Sequence, residues 1–188
     1  MSTLEVDFRP SPIGGVVIVQ RPRVEDARGF LTRLYSAEDF ESAGVRKRIV
    51  QINHTLTNRA GAVRGMHYQK PPCAETKIVA CIRGEVFDVA VDLRKGSRTF
   101  LQWHAEVLSP LNHRSLLIPE GVAHGFQTLT PDCELVYLHT APYASWLEAG
   151  VSAVDPRLGI VWPLPISEMS ERDRSHPLLS SAFEGIDV

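Results

Sequence analysis

The chain has 188 residues, of which 44% are hydrophobic and 22% charged, with a formal net charge of −2. That balance excludes a dedicated nucleic-acid binder with a basic excess and a highly charged disordered chain. The length fits one domain spanning residues 1–188, and the apolar share suffices for a core.

In chain order, Met1–Pro10 carries acids and no apolar centre, so it does not read as a secretory signal. Strand-like runs follow at Gly15–Gln20, Lys77–Ile82, Glu85–Leu93, Thr99–Leu108, Ser115–Ile118 and Glu134–His139, divided by Gly, Pro, Asn and Ser. Short strands at near-regular spacing predict a β-sandwich or barrel. Thirteen prolines argue against a helical bundle, where each interior Pro costs about 3 kcal/mol. One helix is expected over Ser36–Ala43, capped by Ser36 with Asp39 and stopped by Gly44, and a short one near Ser170–Arg174.

No run of about 18 apolar residues marks a transmembrane helix. Cys73, Cys81 and Cys133 have neither CxxC nor CxxH spacing, so a disulfide framework or zinc finger is not expected, and a reduced cytoplasmic setting fits. Cys81, inside an apolar run, reads as a small core residue.

Polar and ionisable residues gather beside β-runs in four places: Gln51–Asn53, Val63–Gln69, Ile118–Phe126 and Tyr137–Tyr143. Strand alternation puts Gln51 and Asn53 on one face. Without a bulge, it also puts Arg64 and Met66 on one side and Gly65, His67 and Gln69 on the other. Polar residues sharing a face of a small barrel often mark a ligand mouth. His54, His104, His113, His139 and His176 read as surface or packing residues. These observations alone reach a β-rich protein with a polar pocket.

Read together, the motifs resemble the dTDP-4-dehydrorhamnose 3,5-epimerase family. The match runs through Asp26–Phe30, Gln51–Asn53, Arg64–Gln69, Pro71–Pro72, Lys77, Gly84–Arg94, Ile118–Phe126, Tyr137, Tyr143, Ile160–Pro163 and Ser170–Asp173. It breaks at Val24, Leu31 and Arg33, where the family has an aromatic, a Phe and a Glu that reach the nucleotide. The base on the substrate is therefore left open.

The resemblance implies an all-β, cupin-type double-stranded β-helix (jelly roll) with a few short helices. It also implies a homodimer with strand exchange near the N-terminus, a nucleotide-sugar substrate, and no metal or organic cofactor; the charge balance and the lack of a long apolar run leave no nucleic-acid or membrane partner expected. By the same resemblance His67 is the base, Asp173 its partner, Lys77 the enolate stabiliser and Tyr137 the acid. Arg28, Gln51, Asn53, Arg64, His124 and Tyr143 bind substrate.

That chemistry suits the residues. A ketone at carbon 4 acidifies the hydrogens at carbons 3 and 5; His titrates near neutrality, and a preplaced cation stabilises a developing enolate. The alternatives are an epimerase of carbon 3 alone, an enzyme for a CDP- or GDP-linked 4-keto sugar, a metal-dependent cupin enzyme using Glu75 and His124, and a non-catalytic sugar-nucleotide binder.

Overall fold

A computed structural model describes residues 5–188; the first four residues of the Met1–Pro10 stretch lie outside the described part. The strands are β1 (Asp7–Pro10), β2 (Val17–Gln20), β3 (Arg23–Asp26), β4 (Gly29–Thr32), β5 (Gln51–Thr57), β6 (Val63–Gln69) and β7 (Lys77–Arg83). They continue as β8 (Val86–Asp92), β9 (Trp103–Leu108), β10 (Arg114–Ile118), β11 (Val122–Thr128), β12 (Cys133–His139) and β13 (Glu148–Gly150). The helices are α1 (Ala37–Ser42) and α2 (Glu171–Arg174). None is long and apolar enough to cross a membrane.

Six strands form one sheet in the order β1-β2-β10-β7-β12-β5, and five form another in the order β13-β6-β11-β8-β9. Their pairings are antiparallel, and β3 and β4 make a separate hairpin. From β5 to β13 the chain passes from one sheet to the other at every step except between β8 and β9, giving the expected jelly roll.

Alternation along the strands explains the layers. Val79 and Cys81 of β7, Leu116 and Ile118 of β10, and Val86 and Ala90 of β8 share one core between the sheets. Ile78, Leu117 and Leu138 point to the opposite side, where α1 covers them with Phe40. Val89 and Val91 of β8 point away from the shared core into a third cluster with Met66, flanked by Trp103 and Trp162. Strands buried on both faces become near-continuous apolar runs, which is why Lys77–Ile82 and Glu85–Leu93 stood out. Cys81 is fully buried, and burial pushes its thiol up to about 12.

Ser36 caps α1 by accepting the Asp39 N–H at 3.4 Å, and Gly44 closes it at φ +92°. The expected Thr99–Leu108 strand begins only at Trp103. The Ser97 and Thr99 hydroxyls instead donate to Asp92 at 2.5 and 2.6 Å, and Leu101 takes φ +61°, so this stretch turns before the strand starts.

One irregularity positions the site. Between β6 and β11 the register runs His67↔His124 but Arg64↔Phe126, three residues against two. This bulge at Gly65–Met66 corrects the simple alternation. Arg64 and His67 both line the cavity, while Met66 turns into the core. Gly65 has φ +125°, and a Cβ there would lie 2.6 Å from the Cα of Gly125, so only glycine allows the two strands to approach this closely.

Candidate active site

A cavity of about 820 Å³ opens between the two sheets. Nine of the ten expected site residues line it: Gln51, Asn53, Arg64, His67, Lys77, His124, Tyr137, Tyr143 and Asp173. The tenth, Arg28, does not. It sits at the turn of the β3–β4 hairpin, where an 89% exposed side chain pairs with Asp26, outside the cavity of its own chain. Val24 and Leu31 lie on the same hairpin and are exposed.

The five-stranded sheet contributes His67 from β6 and His124 from β11, adjacent in register. His67 Nε2 lies 2.7 Å from Asp173 Oδ1. Asp173 is on α2, whose first turn is capped by Ser170 accepting the Asp173 N–H at 3.0 Å. The backbone N–H of Gly65 donates to the second carboxylate oxygen at 3.3 Å. Burial by itself raises the Asp173 pKa, but the His67 hydrogen bond, the Gly65 N–H and the Arg172 charge outweigh it and hold the carboxyl at about 2. An ionised carboxylate only accepts, so His67 donates from Nε2 and keeps its lone pair on Nδ1. His124 is buried and pairs with Asp88 at 2.8 Å.

The six-stranded sheet forms the facing wall, with Gln51 and Asn53 from β5, Lys77 from β7 and Tyr137 from β12. Tyr137 is partly buried, and loss of water pushes its hydroxyl well above the usual phenol value. Its ring lies 6.0 Å from that of His124. At the mouth, the Tyr143 hydroxyl donates to Glu148 at 2.8 Å.

Lys77 is not the solvated charge that its place at a strand start suggests. It is buried, 3.1 Å from Glu75. Two histidines read as packing or surface residues also belong here. His139 lines the cavity beside Glu75, and His176 packs 5.4 Å from the His67 ring. For His139 the signal was local: it is two residues after Tyr137 in β12, and in a strand that spacing returns to one face. Glu75 lies in the loop just before β7, two residues from Lys77. Arg59 and Arg172 are further cations on the wall.

His67, Asp173 and His176 offer ligand-type atoms within 4.8 Å of one another. Arg172 already occupies that corner, 3.3 Å from His67 and 3.5 Å from Asp173, and its positive charge opposes a metal cation there. The pair considered for a metal-dependent enzyme is engaged otherwise, Glu75 with His139 and Lys77 and His124 with Asp88.

A sequence model described as dTDP-4-dehydrorhamnose 3,5-epimerase matches residues 10–181. A dTDP-4-dehydrorhamnose 3,5-epimerase of Pseudomonas aeruginosa is 44% identical over 88% of this chain and 92% of its own. A dTDP-4-dehydrorhamnose 3-epimerase of Streptomyces niveus is 37% identical over 93% and 84%. The crystal structure of the 3,5-epimerase from Bacillus anthracis, with TDP and pyrophosphate bound, superposes with a TM-score of 0.89 at 38% identity, covering 93% of this chain and 99% of that one.

Proposed function

The chain belongs to the dTDP-4-dehydrorhamnose 3,5-epimerase family, and from that premise we propose that its cavity epimerises a nucleotide-linked 4-keto-6-deoxyhexose at carbons 3 and 5. The substrate is dTDP-4-dehydro-6-deoxyglucose and the product dTDP-4-dehydrorhamnose, so the chain is an isomerase. One observation carries the mechanism: a carboxylate-held histidine on one sheet faces a lysine and a water-poor tyrosine on the other.

His67 Nδ1 takes the proton from carbon 3 or carbon 5, and Asp173 stabilises the imidazolium that forms. The electron pair moves onto the carbon 4 oxygen, where Lys77 meets the developing negative charge; such a preplaced cation lowers a barrier by several kcal/mol. Tyr137 then returns a proton from the opposite face; His67 releases the proton it took to water and Tyr137 recovers one from water, so that both groups are reset. Its raised pKa keeps it protonated until the enolate forms. Arg64, Gln51, Asn53, His124 and Tyr143 hold the substrate, and arginine suits a diphosphate because its planar fork matches two oxygens.

The working unit is a cytoplasmic homodimer. Exposed Phe30 and Leu31 on the hairpin, Ile52 and Leu56 on edge strand β5, and Val50 just before it supply apolar surface for it. In that assembly the hairpin carries Arg28 to the nucleotide end of the partner subunit's cavity.

The test is proton NMR with dTDP-4-keto-6-deoxyglucose in heavy water. Loss of signal at carbons 3 and 5 is expected. Loss at carbon 3 alone would move the chain to the single-carbon activity named for the Streptomyces niveus relative. No exchange by folded protein would overturn the assignment and turn attention to CDP- and GDP-linked sugars.

A further inference from the structure

Along the six-stranded sheet, five side chains form one hydrogen-bonded row in which donation converges on Glu75 from both ends. The Tyr143 N–H donates to Gln51 Oε1 at 2.9 Å, and Gln51 Nε2 donates to Asn53 Oδ1 at 3.2 Å. Asn53 Nδ2 meets His139 Nε2 at 3.4 Å, and His139 Nδ1 lies 2.9 Å from Glu75 Oε2. Glu75 Oε1 receives Lys77 Nζ at 3.1 Å. The Asn53 amide nitrogen can only donate, so His139 Nε2 is the acceptor and Nδ1 carries the hydrogen given to Glu75. Strand register supports the row, with His139 opposite Gln51 on one side and Lys77 on the other.

Glu75 and Lys77 are buried together, and an unpaired charge at such a depth is costly. Burial raises the Glu75 pKa, yet the His139 hydrogen bond and the Lys77 charge outweigh it and leave the carboxyl below its ordinary value. Each carboxylate oxygen is engaged by one protein partner, Oε1 by Lys77 and Oε2 by His139.

We propose that Glu75 is the positioning residue of Lys77, holding the ammonium with one oxygen and, with the other, fixing His139 as the Nδ1–H tautomer that ties the lysine to the Gln51–Asn53 row. This rests on Lys77 being the cation that meets the enolate. A glutamine at 75 offers one acceptor and one donor to two donors. Either Lys77 faces an N–H and loses its hold, or His139 does and the lysine loses its tie to the Gln51–Asn53 row.

The experiment compares solvent deuterium exchange into the substrate by Lys77→Ala, Glu75→Gln and the double variant. Lys77→Ala is expected to be about 100-fold slow. Glu75→Gln is expected to lose roughly 10- to 100-fold in kcat with little change in KM. The double variant should be no slower than Lys77→Ala alone, since Glu75 works through the lysine. A wild-type rate for Lys77→Ala would overturn the enolate role itself. With Lys77→Ala slow, a wild-type rate for Glu75→Gln, or a double variant slower by the product of both effects, would overturn the positioning role only. Nitrogen NMR of His139 in the unaltered protein is an independent check: Nδ1 protonated and Nε2 bare is expected, and the reverse tautomer overturns the proposal.

Discussion

Asp173 lies 2.7 Å from His67, although 106 residues separate them in the chain. The pair meets because α2 docks against β6 and the Gly65 N–H takes the carboxylate's second oxygen. With Asp173 ionised, this contact makes Nε2 the donor of a neutral His67 ring and leaves the lone pair on Nδ1.

Asp173→Asn should therefore damage the rate more than the fold. An asparagine can turn its NH₂ toward His67 Nε2, which moves the ring hydrogen to Nδ1 and removes the base. Steady-state kinetics should show kcat down by about 10²- to 10⁴-fold with KM little changed. Near-normal kcat would make Asp173 a structural residue.

Tyr137→Phe keeps the base and the cation but loses the proton donor on the opposite wall. Exchange of the substrate hydrogens into heavy water should persist, while net inversion slows by about 10²-fold or more. Product stereochemistry, read by NMR against exchange in the same sample, separates the two. Equal loss of both would remove Tyr137 from the acid role.

Gly65→Ala tests the bulge. The added Cβ would sit 2.6 Å from the Gly125 Cα and 2.8 Å from the His124 carbonyl oxygen, at φ +125°. Backbone cannot yield there cheaply, so urea unfolding should show a loss of at least about 2 kcal/mol. A stable Gly65→Ala protein would mean the strands can separate without cost.

Acid stability follows from two buried carboxylates. Asp92 is opposed by burial but held at about 2 by Arg94, Ser97 and Thr99, and Asp173 is held at about 2 as described. In an unfolded chain both titrate near 3.9. The unfolded state thus binds more protons between about pH 4 and pH 2, and folding stability is full above that window and falls as pH drops through it. Each group contributes about 2 kcal/mol. Urea melts from pH 6 to pH 2 should show this slope, and Asp92→Asn should make it shallower; an unchanged slope would count against the Asp92 network.

If the proposed homodimer forms through this hairpin, Leu31→Glu should shift sedimentation from dimer toward monomer and raise KM, because the partner's Arg28 would then leave the cavity. Unchanged sedimentation would place the interface elsewhere.

Much of this protein was determined by its sequence alone. Apolar runs cut by Gly and Pro predict short strands because those residues act on the local backbone, and Ser36 and Ser170 start helices by satisfying nearby N–H groups. Residue types needed for enolate chemistry were visible in their motifs, and nine of the ten named residues reach one cavity. Tertiary structure alone decided the rest. A bulge has no periodicity of its own, so the shared face of Arg64 and His67 emerges only when β6 pairs with β11. Lys77 and His139 look like ordinary strand-end residues until Glu75 lies between them. Arg28 falls outside its own chain's cavity because the hairpin that carries it lies apart from both sheets. Local propensity acts over a few residues, whereas burial and hydrogen-bond partnership depend on segments brought together only by folding.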